Sequence, residues 1–98
     1  MFFLGIGTYK GHFRAGNLQD SGIFEYLNGA IYDGYWKDNK KNGWGKLIED
    51  GGDTVFSGTW VDDLKHGTGT LQQRHHYVVD GIWSKGILIE MTKFQHKY

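Results

Sequence analysis

The sequence predicts an all-β protein, an elongated single-sheet solenoid of about four stacked antiparallel β-hairpins with 23–24 residues in each. Three observations support this prediction. A glycine-centred pattern recurs at nearly constant spacing, side chains within each copy alternate with a period of two, and the chain holds 16 Gly, 4 Trp, 6 Tyr and 6 Phe but no Pro. Self-similarity at a fixed period indicates a repeat architecture, and a period of two is typical of strands.

The first strand of each unit has a glycine at its centre and a large apolar residue two positions to either side. It occurs as Tyr9-Lys10-Gly11-His12-Phe13, Tyr32-Asp33-Gly34-Tyr35-Trp36, Phe56-Ser57-Gly58-Thr59-Trp60 and Val79-Asp80-Gly81-Ile82-Trp83. The central glycines are 23, 24 and 23 residues apart. Successive residues of a strand point to opposite faces, so Tyr32, Gly34 and Trp36 are predicted to share one face.

The second strand of each unit is marked by a glycine pair that stands nine and eleven residues after the central glycine. The pair is complete in the two middle units, as Gly43 and Gly45 and as Gly67 and Gly69. In the first unit Asp20 and Gly22 hold the two positions. In the fourth unit Glu90 and Thr92 replace both glycines, which predicts a terminal cap of the kind that repeat arrays need.

Polar stretches between the strands predict the turns, because Asn, Asp and Gly favour turn conformations. The predicted hairpin turns are Ala15-Gly16-Asn17, Asp38-Asn39-Lys40-Lys41-Asn42 and Asp62-Asp63-Leu64-Lys65-His66. Further turns at Asn28-Gly29, 50–53 and 73–76 connect the units. The chain 1–98 is therefore predicted to be one domain with units at about 9–31, 32–55, 56–78 and 79–98, and with 1–8 as an N-terminal cap.

The glycines are predicted to be seats for aromatic rings. Glycine in a strand costs about 0.5–1 kcal/mol relative to alanine, so a packing gain must compensate. A strand glycine opposite an aromatic residue lets the ring lie over the backbone, and we expect Gly34 and Gly45 to seat rings such as Tyr32 and Trp36. The predicted structural repeat residues are Tyr9, Gly11, Phe13, Gly22, Tyr32, Gly34, Trp36, Gly43, Gly45, Phe56, Gly58, Trp60, Gly67, Gly69, Gly81 and Trp83.

This spacing of Tyr-x-Gly-x-Trp and Gly-x-Gly resembles the MORN (membrane occupation and recognition nexus) repeat, over essentially the whole chain as about four units. The resemblance implies a non-enzymatic scaffold for protein–protein interaction or self-assembly, linked to cytoskeleton and membrane. It leaves an acidic-phospholipid-binding membrane adaptor as an alternative, because the repeat residues mainly specify the fold. The stretch 34–39 also resembles choline-binding repeats, which keeps a module that binds choline or a sugar as a third interpretation.

Composition excludes several functions. The 11 basic and 11 acidic residues balance, which gives no reason to expect a nucleic-acid partner, and the absence of Cys rules out disulfides, thiol nucleophiles and thiolate metal sites. No GxSxG, P-loop or HExxH motif occurs, so we expect neither enzyme activity nor a cofactor. The chain start lacks the pattern of a signal peptide, which predicts a cytoplasmic protein, with membrane or cytoskeletal association implied by the resemblance.

Two groups of residues are candidates for binding. Tyr35 and Trp44 fall outside the ring-seat alternation and are predicted to bind a protein partner, with burial by a sheet that curls and covers both faces as the alternative. The basic residues Lys37, Lys40, Lys41 and Lys46 are predicted to form a lipid-binding surface, with ordinary solubilising charge as the alternative. Homo-oligomerisation is expected through open end strands near Phe3 and Phe94.

Metal binding and acid–base chemistry have weaker candidates. His75 and His76 are adjacent and point to opposite sides of an extended segment, and with His66 and His96 they show no metal-ligand spacing. We therefore predict polar turn roles for them and no metal site. Asp62 and Asp63, with Asp80, are candidates for paired carboxylates in acid–base chemistry, and turn and solvated-surface roles are the alternative because Asp62 and Asp63 occupy a predicted turn.

Overall fold

A computed structural model describes residues 2–4 and 6–96, and they form one antiparallel sheet of nine strands in chain order. The strands are β1 (Phe2–Leu4), β2 (Gly7–Arg14), β3 (Asn17–Tyr26), β4 (Ile31–Lys37), β5 (Lys40–Glu49), β6 (Thr54–Val61), β7 (Leu64–Gln73), β8 (Tyr77–Ser84) and β9 (Ile87–His96). One short 3₁₀ turn spans Asp50–Gly52. The sheet measures 43 × 25 × 16 Å, so the predicted all-β, elongated single-sheet architecture is confirmed.

Four hairpins, β2–β3, β4–β5, β6–β7 and β8–β9, follow one another along the sheet. The N-terminal segment adds a ninth strand that the sequence did not predict, because β1 pairs with β2 through Phe2 opposite Tyr9. Residues 1 and 5 of the predicted cap lie outside the described residues.

The hairpin turns are shorter than the sequence predicted. Each has two residues with positive φ, which is the type I′ geometry that matches strand twist. They are Ala15-Gly16, Asp38-Asn39, Asp62-Asp63 and Lys85-Gly86. The predicted turns at 38–42 and 62–66 were therefore wrong in their second halves, since 40–42 and 64–66 lie in strands.

Among residues 6–96, the fully buried rings lie on one face of the sheet, which we call the inner face; the opposite face is the outer face. Tyr9, Tyr32, Phe24 and Phe56 are its largest fully buried side chains. Trp36, Trp60 and Trp83 join them at 4–5 % exposure. In each of the last three hairpins the Trp ring meets a ring of the preceding hairpin nearly edge-on, as with Trp60 and Tyr32 at 5.5 Å between centroids. Burial of rings between hairpins thus adds to the strand pairing that joins them.

A row of glycines crosses the sheet beneath these rings. Gly11, Gly22, Gly34, Gly45, Gly58, Gly69 and Gly81 stand opposite one another on β2 to β8. A Cβ on Gly45 would overlap the Tyr32 ring, so the predicted seat for Tyr32 is confirmed. Trp36 does not use the predicted seats. Its Nε1–H instead donates to the carbonyl of Gly22 at 3.2 Å, one hairpin back.

The end units depart from this pattern for physical reasons. Phe13 stands where later units carry the Trp, but it is 40 % exposed because no complete hairpin precedes it. In the fourth unit the glycine pair is missing, and β8–β9 has two register shifts where each earlier hairpin has one. Gly81 consequently faces Met91 instead of Thr92.

Reciprocal hydrogen bonds also connect successive hairpins. The backbone N–H of Asn39 donates to the carbonyl of Leu18 at 3.2 Å, and the N–H of Leu18 donates to Asn39 Oδ1 at 2.8 Å. Asp63 forms the same two bonds with Lys41, at 3.0 and 2.8 Å. The second turn residue of the middle units therefore needs an oxygen on its side chain as well as positive φ, which explains why Asn and Asp stand there.

Candidate functional site

Tyr35 and Trp44 lie on adjacent strands of the outer face. Tyr35 is 51 % exposed and Trp44 is 52 % exposed, although the other three tryptophans are buried. The neighbouring strand residues Gly34 and Gly45 pair directly with each other, which fixes both rings on the same side of the β4–β5 hairpin. The structure thus brings the two predicted partner-binding residues to one exposed surface.

The repeats supply an internal comparison for these two positions. Tyr35 corresponds to His12, Thr59 and Ile82 of the other units, because each follows the central glycine of its unit. Trp44 precedes Gly45, and the residue at the same place in the third unit is Thr68. Both strands form in the other units with these smaller side chains. An aromatic ring at either position is therefore not required by the fold.

The four candidate lysines do not share one surface. Lys37, Lys40 and Lys46 are exposed, and Lys37 and Lys46 alternate onto the outer face with Tyr35. Lys41 lies on the inner face opposite Trp36, and its side chain is only 15 % exposed. The alternation of β5 could have predicted this position, because Lys41 lies two residues before Gly43 and four before Gly45. The prediction was missed because 40–42 was assigned to a turn.

Lys41 is held in a cage of aromatic rings. Its Nζ stands 5.3 Å from the centroid of Tyr26, 5.5 Å from that of Tyr32 and 5.6 Å from that of Trp60. Asp63 Oδ1 lies 3.9 Å from the same nitrogen. A cation over ring faces is attracted by their negative quadrupole, so this lysine has a place in the core that is independent of any lipid.

Burial of the ring-seat tyrosines changes their ionisation. Desolvation raises the pKa of Tyr32 well above its usual value of 10.0, and the nearby acidic groups raise it further. Desolvation also raises the pKa of Tyr9. Each hydroxyl donates to a backbone carbonyl, Tyr32 to that of Tyr35 and Tyr9 to that of His12, both at 3.1 Å. These phenols therefore act as neutral structural donors.

A cavity of about 450 Å³ opens on the inner face between the first two hairpins. Ile6, Leu18, Phe24, Tyr26 and Trp36 provide its apolar lining, and Lys41 stands at its polar side. Such a cavity can accept an apolar side chain of a partner. The sequence analysis missed it, because it depends on how two neighbouring hairpins meet.

A second cavity of about 400 Å³ lies on the outer face and extends from Trp44 across β6, β7 and β8. Its floor is the backbone around Gly58, Gly69 and Gly81. Hydroxyl side chains and the carboxylate of Asp80 line it. We call this cavity the outer trough.

The Asp and His candidates for acid–base chemistry and metal binding do not come together in one site. Asp62 and Asp63 form the third hairpin turn, as the sequence predicted, while Asp80 lies in β8. His75 and His76 lie in the short connection before β8. Within the described ranges 2–4 and 6–96, no cluster of three or more His, Cys, Asp or Glu side chains could hold a metal ion.

The comparison with protein families agrees with this geometry. The MORN repeat matches residues 32–53 and 56–73, which cover the β4–β5 and β6–β7 hairpins. The chain contains MORN repeats. A comparison with curated proteins gives no match. MORN repeats are generally associated with membrane and protein-interaction scaffolds and are generally non-catalytic.

Both matched MORN repeats contain the full set of ring, glycine pair and type I′ turn. The first and fourth hairpins share the strand order but depart at the glycine pair, where Asp20 and Glu90 stand at the first position. Asp20 still adopts positive φ, at 59°, which matches the left-handed backbone of Gly43 and Gly67. Among the described residues, no helix has the length and apolar character to cross a bilayer.

Proposed function

We propose that this chain is a non-enzymatic scaffold that binds a protein partner on the outer face of its second MORN repeat, through Tyr35 and Trp44. The observation that carries the proposal is the internal comparison, since the same positions in the third unit are threonines and the strands still form. Aromatic rings that the fold does not need and that remain half exposed are typical anchors of protein interfaces.

The chain itself supplies a matched test of this docking surface. In the double variant Tyr35→Thr/Trp44→Thr, the second repeat carries the residues of the third, so we expect the folded state to persist. Proximity labelling should capture a set of proteins with the wild type and with a Leu27→Thr control, and that set should be lost with the double variant. Leu27 is a suitable control because it is 71 % exposed in a loop away from the pair. Capture of the same proteins by the double variant would contradict the proposal.

A membrane adaptor is the second candidate, because Lys37 and Lys46 share the outer face with the two rings. Each lysine near an anionic bilayer contributes about 1 kcal/mol, and Trp side chains favour the interface. Co-sedimentation with phosphatidylserine vesicles at low and physiological salt tests this function. The adaptor would be favoured if the wild type binds at both salt concentrations, the double variant Lys37→Glu/Lys46→Glu does not bind, and the control variant Lys85→Glu still binds. Absence of binding at both salts would exclude it.

Self-assembly through an end strand is also part of the proposal. The edge strand β9 exposes Ile87, Ile89, Met91 and Phe94, each more than half exposed. Edge strands with apolar side chains pair readily with other chains. The two register shifts of β8–β9 shorten the regular stretch of β9 that a second chain could pair with. Analytical ultracentrifugation should show a concentration-dependent oligomer that Ile89→Lys dissociates. A wild type that stays monomeric at all concentrations would contradict self-assembly through β9.

A further inference from the structure

The outer trough has a lining that selects for a particular ligand chemistry. Trp44 forms one wall and Asp80 contributes a carboxylate. The hydroxyl side chains of the lining are Ser57, Thr59, Thr68, Thr70 and Thr92. Of the residues that the structure describes, no lysine or arginine lines the trough. A volume of about 400 Å³ is in the range of small-ligand sites.

Three of the five hydroxyl groups of the lining donate their protons within the protein, so these three present acceptors to the trough. Thr59 donates its proton to the carbonyl of His66, and Thr70 donates to Asp80 Oδ1 at 2.6 Å. Thr92 donates to the carbonyl of Asp80 at 3.1 Å. A hydroxyl has one proton but two lone pairs, and a carboxylate accepts up to four hydrogen bonds, so these groups retain capacity to accept. A ligand with several hydrogen-bond donors therefore matches this part of the lining.

The charges around the trough favour a neutral ligand. The carboxylate of Asp80 repels an anion, which disfavours a phosphate or an acidic lipid in this cavity. Lys46 stands opposite Ser57 on the next strand, and Lys93 stands opposite Asp80. These two lysines flank the lining and offset the charge of Asp80, so the surroundings select neither an anion nor a cation.

A peptide main chain fits the trough poorly. The trough crosses β6, β7 and β8, which are internal strands paired on both sides, so no free sheet edge is present for strand addition. A saccharide ring matches the lining better, because it has an apolar face that stacks on an aromatic ring and several hydroxyl donors at its rim. We propose that the outer trough binds a neutral saccharide whose ring stacks on Trp44 and whose hydroxyls donate to Asp80 and the threonine oxygens.

The saccharide site goes beyond the proposed protein docking and shares only Trp44 with it. Titration of the ¹⁵N-labelled chain with cellobiose, and separately with maltose, should shift the amides of Gly58, Gly69 and Gly81 saturably with at least one sugar, with a Kd in about the millimolar range. Trp44→Thr and Asp80→Ala should each weaken this binding at least about tenfold. Tyr35→Thr should leave it unchanged, because Tyr35 does not line the trough.

Two results would overturn the saccharide assignment. The first is the absence of saturable shifts with both disaccharides up to about 50 mM in the folded wild type. The second is saturable shifts of the same amides with arginine methyl ester but with neither sugar, which would assign a cation site. Because Tyr35→Thr tests only the protein surface and Asp80→Ala only the trough, failure of one proposal is distinguishable from failure of the other.

Discussion

Substitution of Gly45 by alanine tests whether glycine is needed as a ring seat. Gly45 is buried in the centre of the row, and an alanine Cβ there would overlap the hydroxyl end of Tyr32. The ring has little room to move aside, since Trp36 and Trp60 hold it edge-on with centroids at 5.0 and 5.5 Å. Gly45→Ala should therefore displace the ring or push the strands apart.

The size of the effect follows from the burial of the ring. Tyr32 has no exposed surface, and burial of about 150–250 Å² at about 25 cal/mol per Å² makes complete expulsion cost about 4–6 kcal/mol. Partial displacement by overpacking costs about 1–3 kcal/mol, against which alanine regains about 0.5–1 kcal/mol of backbone entropy. We expect the net effect of Gly45→Ala to lower the free energy of unfolding by about 1 kcal/mol.

The fourth unit suggests how to test the cause of this loss. Val79 stands there in place of the seated ring, and Thr92 stands at the position of the seat glycine. In a Tyr32→Val background, Gly45→Ala should accordingly stabilise the protein by about 0.5–1 kcal/mol, which gives a coupling energy of about 2 kcal/mol. Lys46→Ala, next in sequence but exposed on the outer face, should change stability by less than about 0.5 kcal/mol.

Urea unfolding followed by circular dichroism provides the measurement. With a slope of about 1–3 kcal/mol per M, Gly45→Ala should lower the midpoint by about 0.3–1 M. A midpoint equal to that of the wild type would refute the ring-seat argument. The argument would also be refuted if Gly45→Ala changes the free energy of unfolding by the same amount in the wild-type and Tyr32→Val backgrounds, because the clash would then lie elsewhere.

Three further substitutions test the contacts between hairpins and the buried groups, each by urea unfolding. Asn39→Gly keeps positive φ but removes the oxygen that accepts from Leu18, so it should cost about 1 kcal/mol, and a neutral result would reject the reciprocal bond as a stabilising contact. Above pH 10 the unfolding free energy should fall by about 1.4 kcal/mol per pH unit for Tyr32, because its folded pKa is raised and the unfolded phenol ionises first. Tyr32→Phe should remove this part of the slope, and an unchanged slope would contradict the burial argument. Lys41→Met should cost about 1 kcal/mol through loss of the cation over three rings, more than Lys40→Met at the exposed neighbour, and equal costs would reject the cage.

Much of the architecture could be predicted from the sequence because the repeat is short and local. The spacing between Gly34 and Gly45 fixes which strands pair, and alternation around Gly34 places Tyr32 and Trp36 on the inner face. The same alternation put Tyr35 on the opposite face. These properties depend on the two-residue period of a strand, which needs no knowledge of distant contacts.

The positions that the sequence analysis missed depend on contacts between hairpins. Turn length was one of them, since Asp38-Asn39 closes the hairpin with positive φ at two residues and leaves Lys41 in a strand. Composition alone cannot distinguish a two-residue turn from a five-residue polar turn. Alternation along β5 could have placed Lys41 on the inner face, but the cage of Tyr26, Tyr32 and Trp60 rings around it depends on how neighbouring hairpins pack.

The sequence by itself determined the order of the strands β2 to β9, the inner face and the exposed aromatic pair, because each follows from periods of two and of about 23 residues in one chain. Only the tertiary structure decided where Trp36 packs, why Asn39 is not a glycine, and that Trp44 and Asp80 border one trough. Trp44 and Asp80 are 36 positions apart and belong to different repeats. Their proximity depends on how three hairpins stack, and the interactions that set this stacking act between units instead of within one.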